Sequence, residues 1–243
     1  MSEKKFKNKK TAFVIMDREL KSYFSGPIAY IVTGLYLLIT GLMSFAAFFL
    51  NNRADMRQFF SILPRMLSFF IPALTMRVFA EEKRVGSIET LMTLPVREID
   101  VVLGKYLAIF IESLVMLAPT LLYVITAEIF GSPDYGPIIG GYLGAIFLCA
   151  AFDAVGLFSS SITKNQIIAF AVAMGICLAF TFIDMFLILL PDGIVKYISF
   201  FSASIHFESI SRGILDSRDL LYFISIIALF FVCTLKVQKN SKN

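Results

Sequence analysis

The sequence predicts an all-α polytopic membrane protein with six transmembrane helices, and three observations support this fold class. Six apolar stretches each reach the roughly 20 residues that a helix needs to cross a bilayer. The 243 residues are 58% hydrophobic and 16% charged, whereas soluble domains contain about 25% charged residues. Backbone groups in lipid must be hydrogen-bonded within their own segment, so each span is expected to be a helix.

The first expected element is an amphipathic helix that precedes the spans. Residues 1–10 are polar and rich in lysine, and we expect a disordered tail there. In residues 11–25 the apolar residues Phe13, Met16 and Leu20 recur at helical spacing, while charged residues take the other faces. This pattern favours a helix in the membrane interface with its cationic side chains at the head groups. A cap that packs on a partner protein is the alternative.

Six spans follow the amphipathic helix. Their expected limits are residues 28–50, 59–80, 101–130, 138–160, 167–190 and 220–235. The third is longer than a bilayer needs, so we expect a tilt, a kink at Pro119 or a start outside the membrane. The second is the least apolar, because it contains Arg65 and Arg77, which can reach the head groups from its opposite ends. Pro72 in the same span predicts a kink.

Six spans place both termini on one side of the membrane. If that side is the cytoplasm, its segments hold fourteen Lys and Arg residues: seven in the N-terminal segment, three in residues 81–100, one in residues 163–166 and three in residues 236–243. The opposite loops hold five. This asymmetry favours cytoplasmic termini and explains the basic tails better than nucleic-acid binding does. We therefore expect a tail and amphipathic helix in residues 1–27, a membrane domain in residues 28–235 and a second cytoplasmic tail.

The loop of residues 81–100 has the most informative pattern for function. Gly86 permits a turn, and Ser87 can cap a short helix that has three apolar residues at i, i+3 and i+4 and ends at Pro95. Such a helix suits docking in a groove of a soluble partner, and an interfacial helix without a partner fits the pattern equally well. The residues of this pattern are Glu82, Arg84, Gly86, Ser87, Ile88, Glu89, Leu91, Met92 and Pro95.

Three stretches carry a resemblance to a known family. They are RELKSYFSGPIAYI in residues 18–31, then EEKRVGSIETL, LPV and LGKYL in residues 81–107, and finally HFES, RG and DLLYF in residues 206–223. In this order they resemble ABC-2-type transporter permeases, especially the gliding-motility-like branch. Many members have Thr where Ser87 stands, and both residues supply a hydroxyl cap.

The resemblance implies a role for each of these segments. Residues 87–94 would be the coupling helix, which docks on a separate ATPase subunit that binds ATP and Mg²⁺. Residues 192–219 would form short helices on the outer face. The permease would pair with a second copy or a sister permease, in a prokaryotic inner membrane. The amphipathic helix would be the elbow helix, with the residues Arg18, Glu19, Leu20, Tyr23 and Phe24.

The sequence lacks the phosphate-binding loop of an ATPase. Its Gly104-Lys105 pair has Ile99 where that motif requires an upstream Gly and Tyr106 where it requires Ser or Thr. We therefore expect no ATP hydrolysis and no bound cofactor on this chain. We also expect no metal site, because His206 is the only histidine and the three cysteines are far apart.

Acidic side chains within the spans are the remaining functional candidates, because charges are costly in a bilayer. Glu112 and Asp153 both lie roughly 12–14 Å from the cytoplasmic end and could face each other, in which case one would hold a proton. A structural site with Arg77 or Lys105 as partner ranks ahead of a lining of the substrate path, and catalysis ranks last. The complete set is Glu112, Glu128, Asp153 and Asp184.

The function that these patterns favour is a permease subunit of an ABC-2-type transporter, which forms a dimeric path and exports its substrate. A polytopic membrane enzyme that uses Glu112 and Asp153 is the alternative from another class, although no nucleophile or metal motif accompanies them. A secondary transporter would require an inverted repeat, and the sequence contains no convincing one. The sequence does not select a substrate.

Overall fold

The computed structural model describes residues 2–51, 56–86, 97–131, 133–187, 199–214 and 216–240, and every regular element in these ranges is helical. The all-α fold class is therefore confirmed. In chain order the helices are α1 (Ser2–Ser25), α2 (Pro27–Asn51), α3 (Arg57–Thr75), α4 (Ala80–Val85), α5 (Glu98–Leu117), α6 (Leu121–Phe130), α7 (Tyr135–Ile162), α8 (Gln166–Leu187), α9 (Ala203–Ser211) and α10 (Ser217–Asn240).

Six helical stretches are long and apolar enough to cross a membrane, as the sequence predicts. Two of them are formed by consecutive helices: α3 continues into α4, and α5 continues into α6. Glu81 to Val85 therefore belong to the second stretch and not to the loop that follows it. The stretches are Pro27–Ala46, Arg57–Val85, Glu98–Phe130, Tyr135–Ile162, Gln166–Met185 and Ser217–Asn240.

Proline interrupts one of these stretches where the sequence predicts it. A 3₁₀ turn, Ala118–Thr120, separates α5 from α6, because Pro119 has no N–H group for the α-helical hydrogen bond. The Thr120 hydroxyl donates to the Leu117 carbonyl at 2.6 Å within this turn. In α3 the helix passes through Pro72 and ends at Thr75. The second break therefore comes three residues beyond the proline.

The N-terminal helix differs from expectation in its length and in its buried face. Helix α1 begins at Ser2, so the expected disordered tail is wrong. Its buried residues include Ala12 and Ile15, whereas Phe13 is 55% exposed. The reason is the contact with α5: a Cβ atom on Gly104 would lie 2.7 Å from the Ala12 carbonyl oxygen. The close approach of the two backbones leaves room only for a small residue, so Ala12 lies in the contact. Side-chain size, and not hydrophobicity, therefore determines which face of α1 is buried.

Helix α7 lies at the centre of the bundle and packs against α3, α5, α8, α9 and α10. Its glycines make this possible, because small residues let helix backbones approach closely. A Cβ atom on Gly141 would lie 2.5 Å from the Phe60 ring of α3, and one on Gly144 would lie 3.1 Å from the Phe207 ring of α9. The bundle is therefore assembled around a helix whose glycines let neighbouring side chains approach its backbone.

The bundle has two distinct ends, which we name after the helices α1 and α9 that lie there. At the α1 end, Ile15, Val78 and Val102 form an apolar cluster against which Leu235 of α10 packs. The N-terminal helix and the last turns of α10 therefore lie at the same end. At the α9 end, α9 packs on α3, α7, α8 and α10.

Gly140→Ala tests the close contact between α7 and α9. A Cβ atom at this position would collide with the Ile210 carbonyl oxygen, which is backbone and cannot rotate away. We expect the free energy of unfolding to fall by about 1–3 kcal/mol. Thermal unfolding of the purified chain in detergent measures the change.

Gly175→Ala in α8 is the matched control, because nothing lies within 4 Å of its Cβ position. We expect the control to be neutral or slightly stabilising, since Ala favours helix over Gly. Equal stability of the two variants would contradict the packing described for α7.

Candidate functional site

A fully buried lysine joins three parts of the chain at the α1 end. The Lys105 ammonium group of α5 lies 3.1 Å from Glu19 Oε1 of α1 and 2.9 Å from Glu82 Oε1 of α4. It also donates to the Val78 carbonyl at 3.1 Å. All three donors of the ammonium group therefore have acceptors. A buried charge is tolerated only with such partners, so the position of α1 depends on this contact.

Arg18 completes the group, which we call the Lys105 cluster (Arg18, Glu19, Glu82 and Lys105). Its guanidinium lies 2.6 Å from Glu19 Oε1 and 3.2 Å from Glu82 Oε1. The Arg18 side chain is half exposed, so these contacts contribute less than those of Lys105. The cluster unites two carboxylates from distant parts of the sequence around two cations.

The pKa of Glu19 shows the net effect of the cluster. Burial alone would raise this pKa, but attraction by Lys105 and hydrogen bonds from Arg18 and Lys105 outweigh burial and lower it below its ordinary value of 4.5. A pKa that is lower in the folded state gives stability that is complete above the ordinary value. That stability is lost as the pH falls through the lowered pKa, so Glu19 remains ionised at neutral pH.

Helix α4 is also fastened to the end of α7. Ser160 Oγ accepts hydrogen bonds from the amides of Phe79 at 2.9 Å and Ala80 at 3.1 Å, and it donates to the Met76 carbonyl at 3.1 Å. Lys83 donates to the Ser161 carbonyl. These backbone groups lie at the break between α3 and α4, and Ser160 of α7 supplies their hydrogen-bond partner.

Gly86 ends α4 in the left-handed conformation, with φ +79°, which confirms the predicted turn. Arg84 is exposed beside it and lines a cavity of about 540 Å³ with residues 163–167. The proposed docking helix begins at the next residue. Its predicted residues lie outside the part of the chain that the structure describes, namely Ser87, Ile88, Glu89, Leu91, Met92 and Pro95.

The other predicted elbow residues divide between the protein interior and its surface. Tyr23 is buried and donates to the Leu74 carbonyl of α3 at 3.3 Å, whereas Leu20 is half-buried and Phe24 is exposed. The Arg77 guanidinium lies 4.3 Å from the centroid of the Tyr23 ring. The expectation that Arg77 reaches out to the head groups is therefore wrong. It packs on α1 instead, as a cation–π pair.

The two deepest carboxylates do not form a pair with each other. Asp153 is fully buried and accepts a hydrogen bond from Ser113 Oγ at 2.8 Å. Glu112 is attracted by Arg77. Between these two described residues there is no hydrogen bond, so the suggested shared proton has no support. Depth along a span does not reveal direction around the helix axis, and Glu112 of α5 and Asp153 of α7 turn toward different neighbours.

The predicted acids near the other end have different surroundings. Glu128 accepts a hydrogen bond from the exposed Tyr135 hydroxyl at 2.8 Å. Asp184 lines a cavity of about 760 Å³ between α3, α8 and α9. The structure thus distributes the four intramembrane acids over four separate sites. Among the described residues, no group of three His, Cys, Asp or Glu side chains could hold a metal ion.

His206 fastens α9 to α10. Its Nδ1 lies 2.6 Å from Asp219 Oδ1, and its Nε2 lies 3.0 Å from the Phe200 carbonyl oxygen. The ring stacks on Tyr222, with centroids 4.2 Å apart. Ser204 of α9 donates to the Thr181 carbonyl of α8 at 2.8 Å. Helix α9 is therefore a fixed wall of the Asp184 cavity.

The importance of Lys105 and Ser160 was not predicted from the sequence. There, Lys105 was only part of a failed phosphate-loop motif and a possible partner for intramembrane acids. The usable signal was a lysine inside an apolar span, because a cation there needs a partner as much as an acid does. Ser160 offered no such signal, since its role depends on the break between α3 and α4.

Lys105→Met tests the cluster. The variant leaves Glu19 and Glu82 close together without their buried counter-charge, and removal of one partner of a buried ion pair costs about 3–5 kcal/mol. We expect a loss of thermal stability of this order in detergent, and faster trypsin cleavage in α1. Lys239→Met, at an exposed position near the end of α10, is the matched control and should change neither measurement. A Lys105→Met chain as stable as this control would contradict the assignment.

Comparison with known proteins identifies one related family. The family described as ABC-2 family transporter protein matches residues 51–236 of the chain. The match extends from the last residue of α2 into α10 and includes Glu82 and Lys105, but it does not include α1. No curated protein matches the chain.

Proposed function

This chain is a member of the ABC-2 family of transporter proteins, and on that premise we propose that it is the permease subunit of an exporter driven by a separate ATPase. The family supplies the membrane component of a transporter. In our proposal the partner subunit binds ATP with Mg²⁺ and hydrolyses it, and it docks on residues 87–94. This chain then provides the path through the membrane.

The Lys105 cluster is the observation that carries this proposal. The proposed docking segment is joined to α4 through Gly86, and α4 is attached to α1 and α5 through Glu82 and to α7 through Lys83. A displacement of the segment would therefore be transmitted to several helices together. The buried ion pair resists separation because either partner alone would be an uncompensated charge. This is the arrangement that a mechanical coupling site requires.

We propose that the α1 end faces the cytoplasm, where a soluble ATPase can reach it. The fourteen Lys and Arg residues of the segments at this end, against five in the opposite loops, support that orientation in a prokaryotic inner membrane. Helix α1 would then lie at the cytoplasmic interface.

A second copy of the chain, or a sister permease, would complete the path. Helices α2 and α8 both pack against α3, and both are mostly exposed in the isolated chain. Leu38 and Leu42 of α2 and Ile168 of α8 are among their exposed apolar residues. Pairing across this face would place the polar side chains of α3 next to the partner.

The membrane-enzyme alternative finds less support in the geometry. Catalysis by paired carboxylates needs two acids that share a site, and Glu112 and Asp153 have different partners. The Lys105 side chain is held by two carboxylates and the Val78 carbonyl, so it is not free to act as a nucleophile. The surroundings of these residues favour structural roles.

The triple variant Ile88→Glu, Leu91→Glu, Met92→Glu tests the docking of the ATPase. Charges on the apolar face would lie unpaired in the interface, so we expect the soluble ATPase that co-purifies with the wild-type chain from its host to be lost. ATP-dependent transport should be lost with it. The measurement is mass-spectrometric identification of co-purified proteins that carry a phosphate-binding loop.

Ile214→Glu is the control for this experiment, because Ile214 is 62% exposed and lies beyond α9, at the opposite end. It should leave the co-purified ATPase unchanged. Retention of the ATPase by the triple variant would refute docking through residues 87–94.

Two variants that each carry one accessible cysteine test the orientation. In a background with Cys233→Ser, the native Cys149 and Cys177 remain buried and should not react. An impermeant maleimide applied to intact cells should label Ile214→Cys and should not label Ser87→Cys. In inverted vesicles the maleimide should label Ser87→Cys and should not label Ile214→Cys. Labelling of Ser87→Cys in intact cells would overturn the cytoplasmic placement of the docking segment.

A further inference from the structure

A cavity at the α9 end has a volume of about 760 Å³. It lies between α3, α8 and α9 and beside the first turn of α7. Its walls combine aromatic rings, Phe60 and Phe207, with charged side chains. Both rings are buried in the packing of α3 and α9 against α7. The cavity is thus bounded by fixed helices.

A polar stripe of α3 faces this cavity. Arg57, Ser61 and Arg65 follow each other at intervals of four residues, so they lie on one side of the helix, and all three line the cavity. Arg65 lies roughly 12 Å beyond Arg57 along the helix axis, inside a candidate membrane span. A charge at such depth indicates a hydrated or ligand-binding surface. The sequence predicted that Arg65 reaches the head groups, and it gave no indication that this residue lines a cavity.

The charges of the cavity are not balanced internally. Arg212 is neutralised by Glu208 at 2.6 Å. Arg65 is exposed, and among the described residues no carboxylate lies within the 4 Å that an ion pair requires. Asp184 Oδ1 is buried and accepts no hydrogen bond from those residues. Among the described residues, the Arg65 cation at this cavity therefore has no anionic partner, and the Asp184 Oδ1 acceptor has no donor.

We propose that this cavity binds amphipathic anions that carry a hydroxyl or amine donor near the charged group. The Arg65 guanidinium would bind a phosphate or carboxylate through two parallel hydrogen bonds, for which its planar fork is suited. Asp184 would accept from the neighbouring donor group of the ligand, and Phe60 and Phe207 would contact its apolar part. This inference rests on the proposed transport function, and it names the class of substrate.

Binding of lysophosphatidylglycerol to the full chain, in nanodiscs of neutral phosphatidylcholine, tests the proposal. This probe has one negative phosphate, glycerol hydroxyls and an acyl chain. We expect Arg65→Gln to weaken its binding by about tenfold to a hundredfold, which is typical of a lost charge-assisted contact. Arg65→Lys keeps the positive charge but lacks the planar guanidinium group. Its affinity for the probe should therefore lie between those of the wild type and Arg65→Gln. Lysophosphatidylcholine, in which a choline group cancels the phosphate charge and replaces the head-group glycerol with its hydroxyls, should bind weakly to the wild type.

Arg218→Gln is the matched control, because Arg218 is exposed at the start of α10 and does not line the cavity. It should leave the dissociation constant unchanged within twofold. Equal binding by the wild type and by folded Arg65→Gln would overturn the proposal, as would a preference for lysophosphatidylcholine. Thermal unfolding of each variant establishes that it is folded.

A second measurement separates a transported molecule from a resident lipid, because both have the chemistry proposed here. With the ATPase subunit present, a transported anion should stimulate ATP hydrolysis by the wild type but not by Arg65→Gln, whereas a resident lipid should bind without stimulation. Arg65-dependent binding supports the cavity assignment in either case. If lysophosphatidylglycerol does not bind to a complex that still couples to its ATPase, only this inference is refuted. If the probe binds to a chain that recruits no ATPase, only the proposed function is refuted.

Discussion

The ammonium group of Lys105 has no contact with solvent, and this constraint determines how the α1 end is assembled. It requires Glu19 from an N-terminal helix and Glu82 from the end of the second span in the same place. The neighbouring Gly104 lets α1 approach α5 closely enough for the contact to form. Two adjacent residues that fail as a phosphate-binding motif thus supply the closest backbone approach and the buried charge of this interface.

The two ends of the bundle differ in whether their charged side chains are paired. At the α1 end, cations and carboxylates from separate helices are matched and hold those helices together. At the α9 end, Arg65 and Asp184 face a cavity without partners among the described residues. Helix α7 connects the ends, with glycines against α9 and serines against α4. In the proposed transporter, a rigid end receives the motion and a hydrated end contacts the substrate.

Several features of the fold could be predicted because they depend on local chemistry. Apolar length indicated six spans, the missing N–H group of Pro119 indicated the break in the third, and Gly86 indicated the turn at the end of α4. Helix α5 begins at Glu98 with acidic residues in its first turn, where the helix dipole favours them. The buried face of α1 was predicted wrongly, because the approach to Gly104 places Ala12 inside and leaves Phe13 exposed.

Hydrophobicity and backbone chemistry along the chain were sufficient to establish an all-helical membrane protein, the break at Pro119 and the family it resembles. They could not establish which charges meet. Glu19, Glu82 and Lys105 are far apart in sequence, and Glu112 and Asp153 lie at similar depths but turn to different neighbours. Such pairings depend on the rotation of each helix about its axis and on the order in which helices pack. Those quantities are set by contacts between distant segments, such as glycine against carbonyl or ring, and so they emerge only when the whole bundle is assembled.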